Sequence, residues 1–209
     1  MGQSGDTQTE LVKWGIAART MVGESRSGDR YVVQPFSKGL LIAVVDGLGH
    51  GTDAADAADA AVAVLKAWAH EPVLQLLNRC HEAIRHTRGV VMSVASINAI
   101  GNTMSWVSVG NVEGVLLRAE AEVSRPREFV LPRGGVVGYR LPSLRSATLD
   151  ISHNDLLIFA TDGIRSGFVE SFGLDESPQQ IASHILEKHG KETDDALVFV
   201  ARCRGEGVS

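Results

Sequence analysis

The chain has 209 residues, of which 44% are hydrophobic and 22% charged, a composition that supplies ample apolar material for one globular core. Its net charge of −5 excludes the basic surface of a typical nucleic-acid binder. No apolar run reaches the roughly 18 residues that a membrane-spanning helix needs. We therefore expect neither nucleic acid nor membrane among its partners, and we expect a monomer.

The chain is long enough for one large domain rather than two small ones. Residues 1–10 are polar and lack the apolar stretch of a signal peptide, which predicts a disordered lead-in before a single domain over residues 11–204. Cys80 falls on an apolar helical stripe and Cys203 follows an apolar run, so both are expected to be reduced thiols with a structural role. Reduced cysteines are typical of cytoplasmic proteins, and we expect this location.

The first half of the chain predicts strands followed by two helices. Apolar runs predict three strands, at residues 11–18, 31–33 and 40–45, the second of them ended by Pro35. Alanines at helical spacing predict a helix that begins near Gly51 or Thr52. A second helix is expected to begin near Pro72, a favoured residue for a first turn.

The second half predicts mainly strands. Three Val- and Ile-rich runs, at residues 90–100, 103–109 and 112–119, are separated by Gly101-Asn102 and Gly110-Asn111, which predicts an antiparallel meander with type I′ turns. Residues 120–146 are rich in Arg, Pro and Gly and predict an irregular stretch with one or two strands. Further strands are expected at residues 156–160 and 196–201, with a helix between them that begins after Ser177.

This order of elements lacks the strict alternation of a doubly wound sheet. Antiparallel strands with helices in pairs favour an α+β sandwich instead. We predict two antiparallel sheets packed face to face, with helices on the outside.

Four aspartates are expected at strand ends or in the adjoining loops: Asp29, Asp46, Asp162 and Asp194. Acids at the ends of packed strands can converge from distant parts of a sequence, and carboxylate oxygens suit Mg²⁺ or Mn²⁺. Glycine follows two of them, which would let the backbone approach an ion. The alternative is that each Asp-Gly pair only forms a turn, and for any one acid this alternative stays open.

Four segments together carry a family resemblance: Ser27-Gly-Asp29, Val45-Asp-Gly-Leu-Gly-His-Gly51, Ala160-Thr-Asp-Gly-Ile164 and Asp194-Asp-Ala-Leu-Val198. In this order they resemble the metal-dependent type 2C protein serine/threonine phosphatases, in the bacterial sporulation and stress-response branch. Weaker signatures of the family are Val107-Ser-Val-Gly-Asn111 and Gly134-Gly-Val-Val-Gly138. The resemblance implies a four-layer αββα sandwich, in which two antiparallel sheets are flanked by helix pairs.

The resemblance also implies a site with two ions, Mn²⁺ or Mg²⁺. Asp46 would bridge the two ions and the Gly47 carbonyl would hold one of them, while Asp162 and Asp194 would bind the other. Asp29 would contact the metal centre directly or through waters. With a metal-activated water as the nucleophile, Asp29 and Asp46 are the predicted catalytic residues and no side-chain nucleophile is needed.

The family further implies phosphoserine or phosphothreonine in a regulatory protein as the substrate. Small single-domain members imply a phosphorylated STAS-domain protein of a stress-signalling complex, the stressosome. Residues 120–146 would dock this partner, with Arg125, Arg127 and Arg133 as candidate contacts. The alternative is a catalytically inactive relative that only binds phosphoproteins.

Two features depart from the family or leave a role undecided. Glu24 stands at the spacing where animal members have a phosphate-binding arginine, and Arg19, Arg26 and Arg30 are nearby without a secure match. His50 could bind metal or donate a proton, but a role at the start of the helix is the more common alternative. The glycines around His50 do not fit the G-x-G-x-x-G spacing of a dinucleotide loop.

Overall fold

A computed structural model of the protein describes residues 7–119 and 127–204. The strands within these ranges are β1 (Thr7–Gln8), β2 (Val12–Arg19), β3 (Asp29–Phe36), β4 (Gly39–Gly47), β5 (Val90–Asn98), β6 (Thr103–Val109), β7 (Glu113–Leu117), β8 (Arg127–Glu128), β9 (Ala147–Asp150), β10 (Leu156–Ala160) and β11 (Ala196–Cys203). The helices are α1 (Gly51–Ala67), α2 (Val73–Ala83) and α3 (Pro178–His189), with a 3-10 helix at Phe168–Glu170. None of these helices is long and apolar enough to span a bilayer.

The strands form two antiparallel sheets that pack face to face. The first sheet has the order β3-β4-β5-β6-β9, and the second has the order β1-β2-β11-β10-β7-β8. Large apolar side chains such as Trp106, Phe159 and Phe199 are buried between the sheets. The α+β sandwich expected from the sequence is thus confirmed.

Helices cover the outer face of each sheet. The helices α1 and α2 pack on the first sheet, and α3 packs with the 3-10 helix on the second. The pair of α-helices expected on the second sheet is therefore one α-helix and one 3-10 helix within the described residues. Ser177 caps α3 with the expected capping box: its side chain accepts from the Gln180 amide, and the Gln180 side chain accepts from the Ser177 amide.

The alanines of α1 explain how closely this helix approaches its sheet. Ala54, Ala57, Ala58 and Ala61 are fully buried. A Cβ on Gly47, at the end of β4, would lie 2.1 Å from the Ala54 carbonyl oxygen. Small residues on both sides thus bring the start of α1 against the end of β4, where the Asp46-Gly47 pair lies.

Three local predictions were wrong. Pro35 lies inside β3 instead of ending it, because β3 is an edge strand and needs no hydrogen bond from that position. Thr7–Gln8 forms β1, paired with Trp14 and Lys13 of β2, so the ordered chain begins before residue 11; residues 1–6 lie outside the described residues. The hairpin between β5 and β6 has a four-residue connection, residues 99–102, in which Asn102 has a positive φ of 46°.

The predicted meander is also wrong, because the chain changes sheets after β6. β5 and β6 pair as expected, but β7 pairs with β10 and β8 in the second sheet. The crossing occurs at Gly110, whose φ is +92°. It is fixed by Ser93 Oγ, which donates to the Val112 carbonyl at 2.9 Å. Gly110-Asn111 is therefore a crossover between the layers.

Candidate metal centre

Asp29 and Asp46 are brought together by the pairing of β3 with β4. They are direct register partners at the end of the first sheet. Asp29 is 6% exposed, so its carboxylate lies inside the protein. The predicted first and second acids thus lie side by side.

Asp162 and Asp194 come from the second sheet. Asp162 follows β10 and Asp194 precedes β11, and these strands pair from Ala160 with Val198 onwards. Thr161 links the two sheets, because its Oγ1 donates to Asp29 Oδ2 at 2.8 Å while its backbone N–H donates to the Leu197 carbonyl. All four sequence-predicted acids therefore reach the same end of the sandwich.

A cleft of about 310 Å³ opens between these strand ends. Asp46, Asp162 and Asp194 line it, together with His50 and Asn111. Asn111 lies at the crossover between the sheets, and its side-chain amide donates to Asp162 Oδ2 at 2.7 Å. Half of the lining residues carry side-chain oxygen atoms, and there is no Lys or Arg among the described residues that form the cleft.

The electrostatics of the cleft are those of crowded acids. Burial raises the pKa of Asp46 to about 9, and the negative charges of Asp29, Asp162, Asp194 and Asp195 add to the effect. Burial also raises the pKa of Asp29 to about 7, opposed by the hydrogen bond from Thr161 and assisted by the other acids. Burial and the charge of Asp162 raise the pKa of Asp194.

This crowding fits a divalent cation, which would offset the repulsion among the acids and take hard oxygen ligands. Within the described residues, however, no three Asp, Glu, His or Cys side chains are grouped closely enough to form a ligand set as they stand. The assignment of Asp29, Asp46, Gly47, Asp162 and Asp194 as metal ligands therefore stays a prediction.

The glycines after Asp46 and Asp162 have a packing role that the sequence did not indicate. A Cβ on Gly163 would lie 1.9 Å from the Asp195 carbonyl oxygen, as close as the contact described for Gly47. Both positions are therefore closed to side chains by neighbouring backbone. This constraint is enough to require glycine, whether or not an ion approaches the backbone there.

Asp195 is a residue whose role sequence reasoning missed. It is buried, and its Oδ1 and Oδ2 accept from the backbone N–H groups of Met21 and Gly28 at 2.8 and 2.7 Å. It thereby holds both ends of the loop between β2 and β3, which leads into Asp29. The signal is the second acid of the pair Asp194-Asp195, but nothing in the sequence distinguishes the roles of the two acids.

The candidate phosphate-binding arginines are occupied elsewhere. Arg26 pairs with Asp56 and Asp59, Arg30 pairs with Asp59, and Arg19 donates to the Lys191 carbonyl. Asp56 and Asp59 are exposed on α1, as expected for a solvated face.

Glu24 instead contacts the cleft through His50. Its Oε1 lies 2.6 Å from His50 Nδ1, and His50 is the residue immediately before α1.

Comparison with known proteins gives the following likenesses. The family model of Stage II sporulation protein E (SpoIIE) matches residues 37–204. Phosphoserine phosphatase RsbX of Bacillus subtilis (strain 168) is 26% identical over 178 residues, which cover 85% of this chain and 87% of that protein. The crystal structure of RsbX in complex with magnesium superposes with a TM-score of 0.83 at 24% identity, covering 95% of this chain and 98% of that chain.

Two further structures share the fold. A chain from a structure of the bacterial stressosome, described as a modular system adapted to control secondary messenger signalling, has a TM-score of 0.82 and 29% identity, covering 91% of this chain and 99% of that one. A structure with the PP2C phosphatase domain of SpoIIE from Bacillus subtilis has a TM-score of 0.73 and 17% identity, covering 95% of this chain and 66% of that one.

Proposed function

The chain belongs to the Stage II sporulation protein E (SpoIIE) family and is homologous to protein phosphatases, and we propose that it is a metal-dependent serine/threonine phosphatase. The observation that carries the proposal is the convergence of Asp46, Asp162 and Asp194 from two sheets on one cleft. Asp29 lies beside Asp46, and the pKa values of Asp29, Asp46 and Asp194 are raised. Such a group of acids is costly to bury without a cation, so it is expected where binding a cation is the purpose.

We propose that Asp46 bridges two ions, Mn²⁺ or Mg²⁺, with the Gly47 carbonyl on one of them and Asp162 and Asp194 on the other. When bound, the ions would lower the pKa of a water and hold phosphate oxygens for in-line attack. Asp29 is oriented by Thr161 and would face the centre directly or through waters. The crystal structure of RsbX in complex with magnesium supports a divalent ion, and the choice between the two metals is part of the proposal.

The test is hydrolysis of a phosphoserine protein with added Mn²⁺ or Mg²⁺, compared with excess EDTA. We expect activity only with metal. Asp46→Asn should lower kcat/KM by more than about 100-fold, since even residues that only support metal ligands are worth 10- to 100-fold. Asp175→Asn, at an exposed position, is the matched control. Full activity in EDTA would rule out the metal mechanism.

A catalytically inactive, phosphoprotein-binding relative is the alternative function. Wild-type protein that binds a phosphoserine protein but never releases phosphate, with either metal, would favour it. The complete set of four acids argues against this alternative, because binding alone does not need them.

We further propose that the substrate is a phosphorylated STAS-domain protein of a stressosome, in the cytoplasm. Support comes from the likeness to a phosphoserine phosphatase and to a stressosome chain. The docking surface we propose consists of Leu131, Arg133, Tyr139 and Arg140. Leu131 and Tyr139 are 82% and 79% exposed, and both arginines are exposed as well.

This docking surface is attached to the rim of the cleft. The Arg133 carbonyl accepts from the Gly110 N–H at 2.9 Å, directly beside Asn111, and Val137 is hydrogen-bonded to Val90 at the start of β5. The Gly138 N–H donates to His81 Nδ1 at 2.9 Å, which fastens the segment to α2. A partner on this surface would meet exposed apolar side chains flanked by positive charge, in a chain whose net charge is −5.

These contacts change which arginines are the best candidates for docking the partner. Arg125 lies outside the described residues, and Arg127 is paired with Glu170 at 3.3 Å. The variant that tests this docking surface therefore combines Arg133→Ala with Arg140→Ala. The double variant should lower kcat/KM on the phosphoprotein about 5- to 10-fold and leave a small aryl phosphate unchanged, because two contacts at the rim are worth about 1 kcal/mol in total. Arg85→Ala, an exposed arginine paired with Glu82 after α2, is the control.

Equal loss on both substrates would mean that the segment supports the cleft itself. No loss on either would place docking elsewhere on the molecule.

A further inference from the structure

The side chain of Arg88 lies at the rim of the cleft, outside its lining. Gly49 lines the cleft, and a Cβ on Gly49 would lie 3.1 Å from Arg88 Nη1. The Arg88 side chain is 53% exposed, so it can be reached from solvent. A positive charge therefore stands beside a cleft whose own described lining carries three aspartates and no Lys or Arg.

The backbone around Arg88 is held in place on both sides. Before it, Thr87 Oγ1 donates to the Ile84 carbonyl at 2.7 Å and accepts from the Gly89 N–H at 3.1 Å. After it, the Gly89 carbonyl accepts from the N–H of Leu48 at 3.1 Å, and Leu48 also lines the cleft. Arg88 is thus carried by a turn that is tied both to the end of α2 and to the cleft.

The same turn borders the segment that carries the proposed docking surface. Gly89 has a φ of +84°, and a Cβ there would lie 2.6 Å from Val136 Cγ1 and 2.7 Å from the Val137 carbonyl oxygen. Val136 and Val137 stand between Arg133 and Tyr139 of the docking surface. Arg88 therefore lies between the docking surface and the cleft, where the chain that flanks a phosphoserine in the cleft would run.

One nitrogen of the Arg88 guanidinium is already paired, and another is available. Nη2 donates to Asp53 Oδ2 at 2.5 Å, and Asp53 lies in the first turn of α1. Nη1 is the nitrogen nearest Gly49, and it has no acceptor among the described residues. A guanidinium offers five N–H donors in a planar fork, so Arg88 can bind a further carboxylate while Asp53 keeps it in position.

We propose that Arg88 determines substrate specificity by binding, through Nη1, an acidic side chain next to the phosphoserine. This inference rests on the proposed phosphatase function. The phosphate itself belongs at the proposed ions inside the cleft, whereas Arg88 stands outside the lining, which favours a carboxylate of the flanking chain over the phosphate. Substrates with Asp or Glu beside the phosphoserine are therefore preferred.

The experiment measures kcat/KM with Mn²⁺ on phosphoserine peptides that differ only in the residues on either side of the phosphoserine, which are Asp, Asn or Lys. The wild type should prefer the Asp peptide to the Asn peptide about 5-fold, as expected for one charge-assisted contact at an exposed rim. Arg88→Ala should abolish this preference, and Arg88→Glu should reverse it in favour of the Lys peptide. Arg88→Ala should change kcat/KM on p-nitrophenyl phosphate less than about 2-fold, because that substrate has no flanking chain.

Arg85→Ala is the matched control, because Arg85 is exposed, pairs with Glu82 at 3.1 Å and lies three residues before Arg88. This variant should keep the wild-type preference. Arg88→Lys keeps the charge without the planar fork and should retain a preference of about 2-fold.

A second measurement does not depend on turnover. Fluorescence anisotropy with Mn²⁺ gives the Kd of the Asp and Asn peptides in which a phosphonate that cannot be hydrolysed replaces the phosphoserine. Arg88→Ala should raise the Kd of the Asp peptide about 5-fold and leave that of the Asn peptide unchanged.

The possible results separate this inference from the proposed function. Wild-type protein without a preference, or a preference that survives in Arg88→Ala, would overturn the role of Arg88. Equal loss on the peptides and on p-nitrophenyl phosphate would mean that Arg88 binds the phosphate or supports the cleft, and would overturn it too. Wild-type protein that hydrolyses no substrate with metal would overturn the phosphatase function itself, and the two Kd values would then decide the role of Arg88 alone.

Discussion

The crowding of acids at the cleft predicts that one of these acids lowers the free energy of unfolding of the metal-free protein. Asp46 is the clearest case, because burial and four neighbouring acids raise its pKa to about 9. At neutral pH the folded protein must keep this carboxyl protonated, while the unfolded chain ionises it freely. Asp46→Asn removes that requirement, so the variant should be more stable than the wild type without metal, although it loses the proposed bridging ligand.

The size of the effect follows from linkage. In the unfolded chain the Asp46 carboxyl has a pKa near 3.9, about three units below pH 7. Keeping it protonated at pH 7 costs about 1.4 kcal/mol for each of these units. This sets an upper limit of about 4 kcal/mol. The half-buried amide of the variant keeps part of the polar cost, and solvent reduces the repulsion, so we expect a gain of about 1–3 kcal/mol. For a chain of this length the Tm should rise by about 3–8 °C.

Asp195→Asn is the matched comparison, because the same chemical change should have the opposite effect on stability at the start of β11 in the second sheet. Both Asp195 oxygens accept backbone hydrogen bonds, from Met21 and Gly28, and an amide offers only one acceptor. The variant should lose about 1–3 kcal/mol. The assay is urea unfolding in EDTA at pH 7, with exposed Asp175→Asn as a control.

If Asp46→Asn is destabilised as much as Asp195→Asn, the acids do not repel one another as described. The cleft would then lack the property that supports a metal site.

Three further predictions concern pH, metal and packing. Because the folded-state pKa values of Asp29 and Asp46 are raised, their stabilising contribution is complete below about pH 4. This contribution is lost as the pH rises through about 7 and about 9, the pKa values of Asp29 and Asp46. The free energy of unfolding in EDTA should therefore fall from pH 5 to 9, and it should fall less in Asp46→Asn. Mn²⁺ at 100 times its Kd should add about 2.7 kcal/mol to the wild type in thermal unfolding and much less to Asp46→Asn. Gly47→Ala should cost about 3 kcal/mol in urea unfolding, because its Cβ would lie 2.1 Å from Ala54 O, while Gly134→Ala, whose Cβ meets nothing within 4 Å, should stay within about 0.5 kcal/mol.

The layered fold could be predicted because its signals are local. The strand β4 is buried on both faces, and its continuous apolar run indicates this directly. The capping box of α3 likewise lies within four residues, Ser177 to Gln180. The sheet to which β7 belongs could not be predicted, since Gly110-Asn111 suits a hairpin and a crossover equally well. The contacts that accompany the crossover are distant in sequence: Ser93 donates to the Val112 carbonyl, nineteen residues away, and β7 pairs with β10.

The candidate site likewise has features that could be predicted from the sequence and features that could not. The four acids could be named because their order and their neighbouring residues match four motifs of the family, while strand position alone left the turn alternative open for each of them. The partners that hold them could not, because Thr161 and Asp29 are separated by 132 positions and Asn111 and Asp162 by 51. The contact between Glu24 and His50 was likewise invisible, since nothing in either segment points to the other. Whether the acids bind ions remains a prediction.

Each sheet contributes two of the four acids, and this arrangement has a mechanical consequence. An ion held by Asp46 and by Asp162 would act as a tie between the two layers of the sandwich, at the end where the strands of both sheets terminate. The spacing of the layers is set by the core around Trp106 and Phe159, whose rings lie 5.4 Å apart. The affinity for metal would then depend on that spacing. Substitutions in the core would therefore alter ion binding without changing any residue that binds the ion.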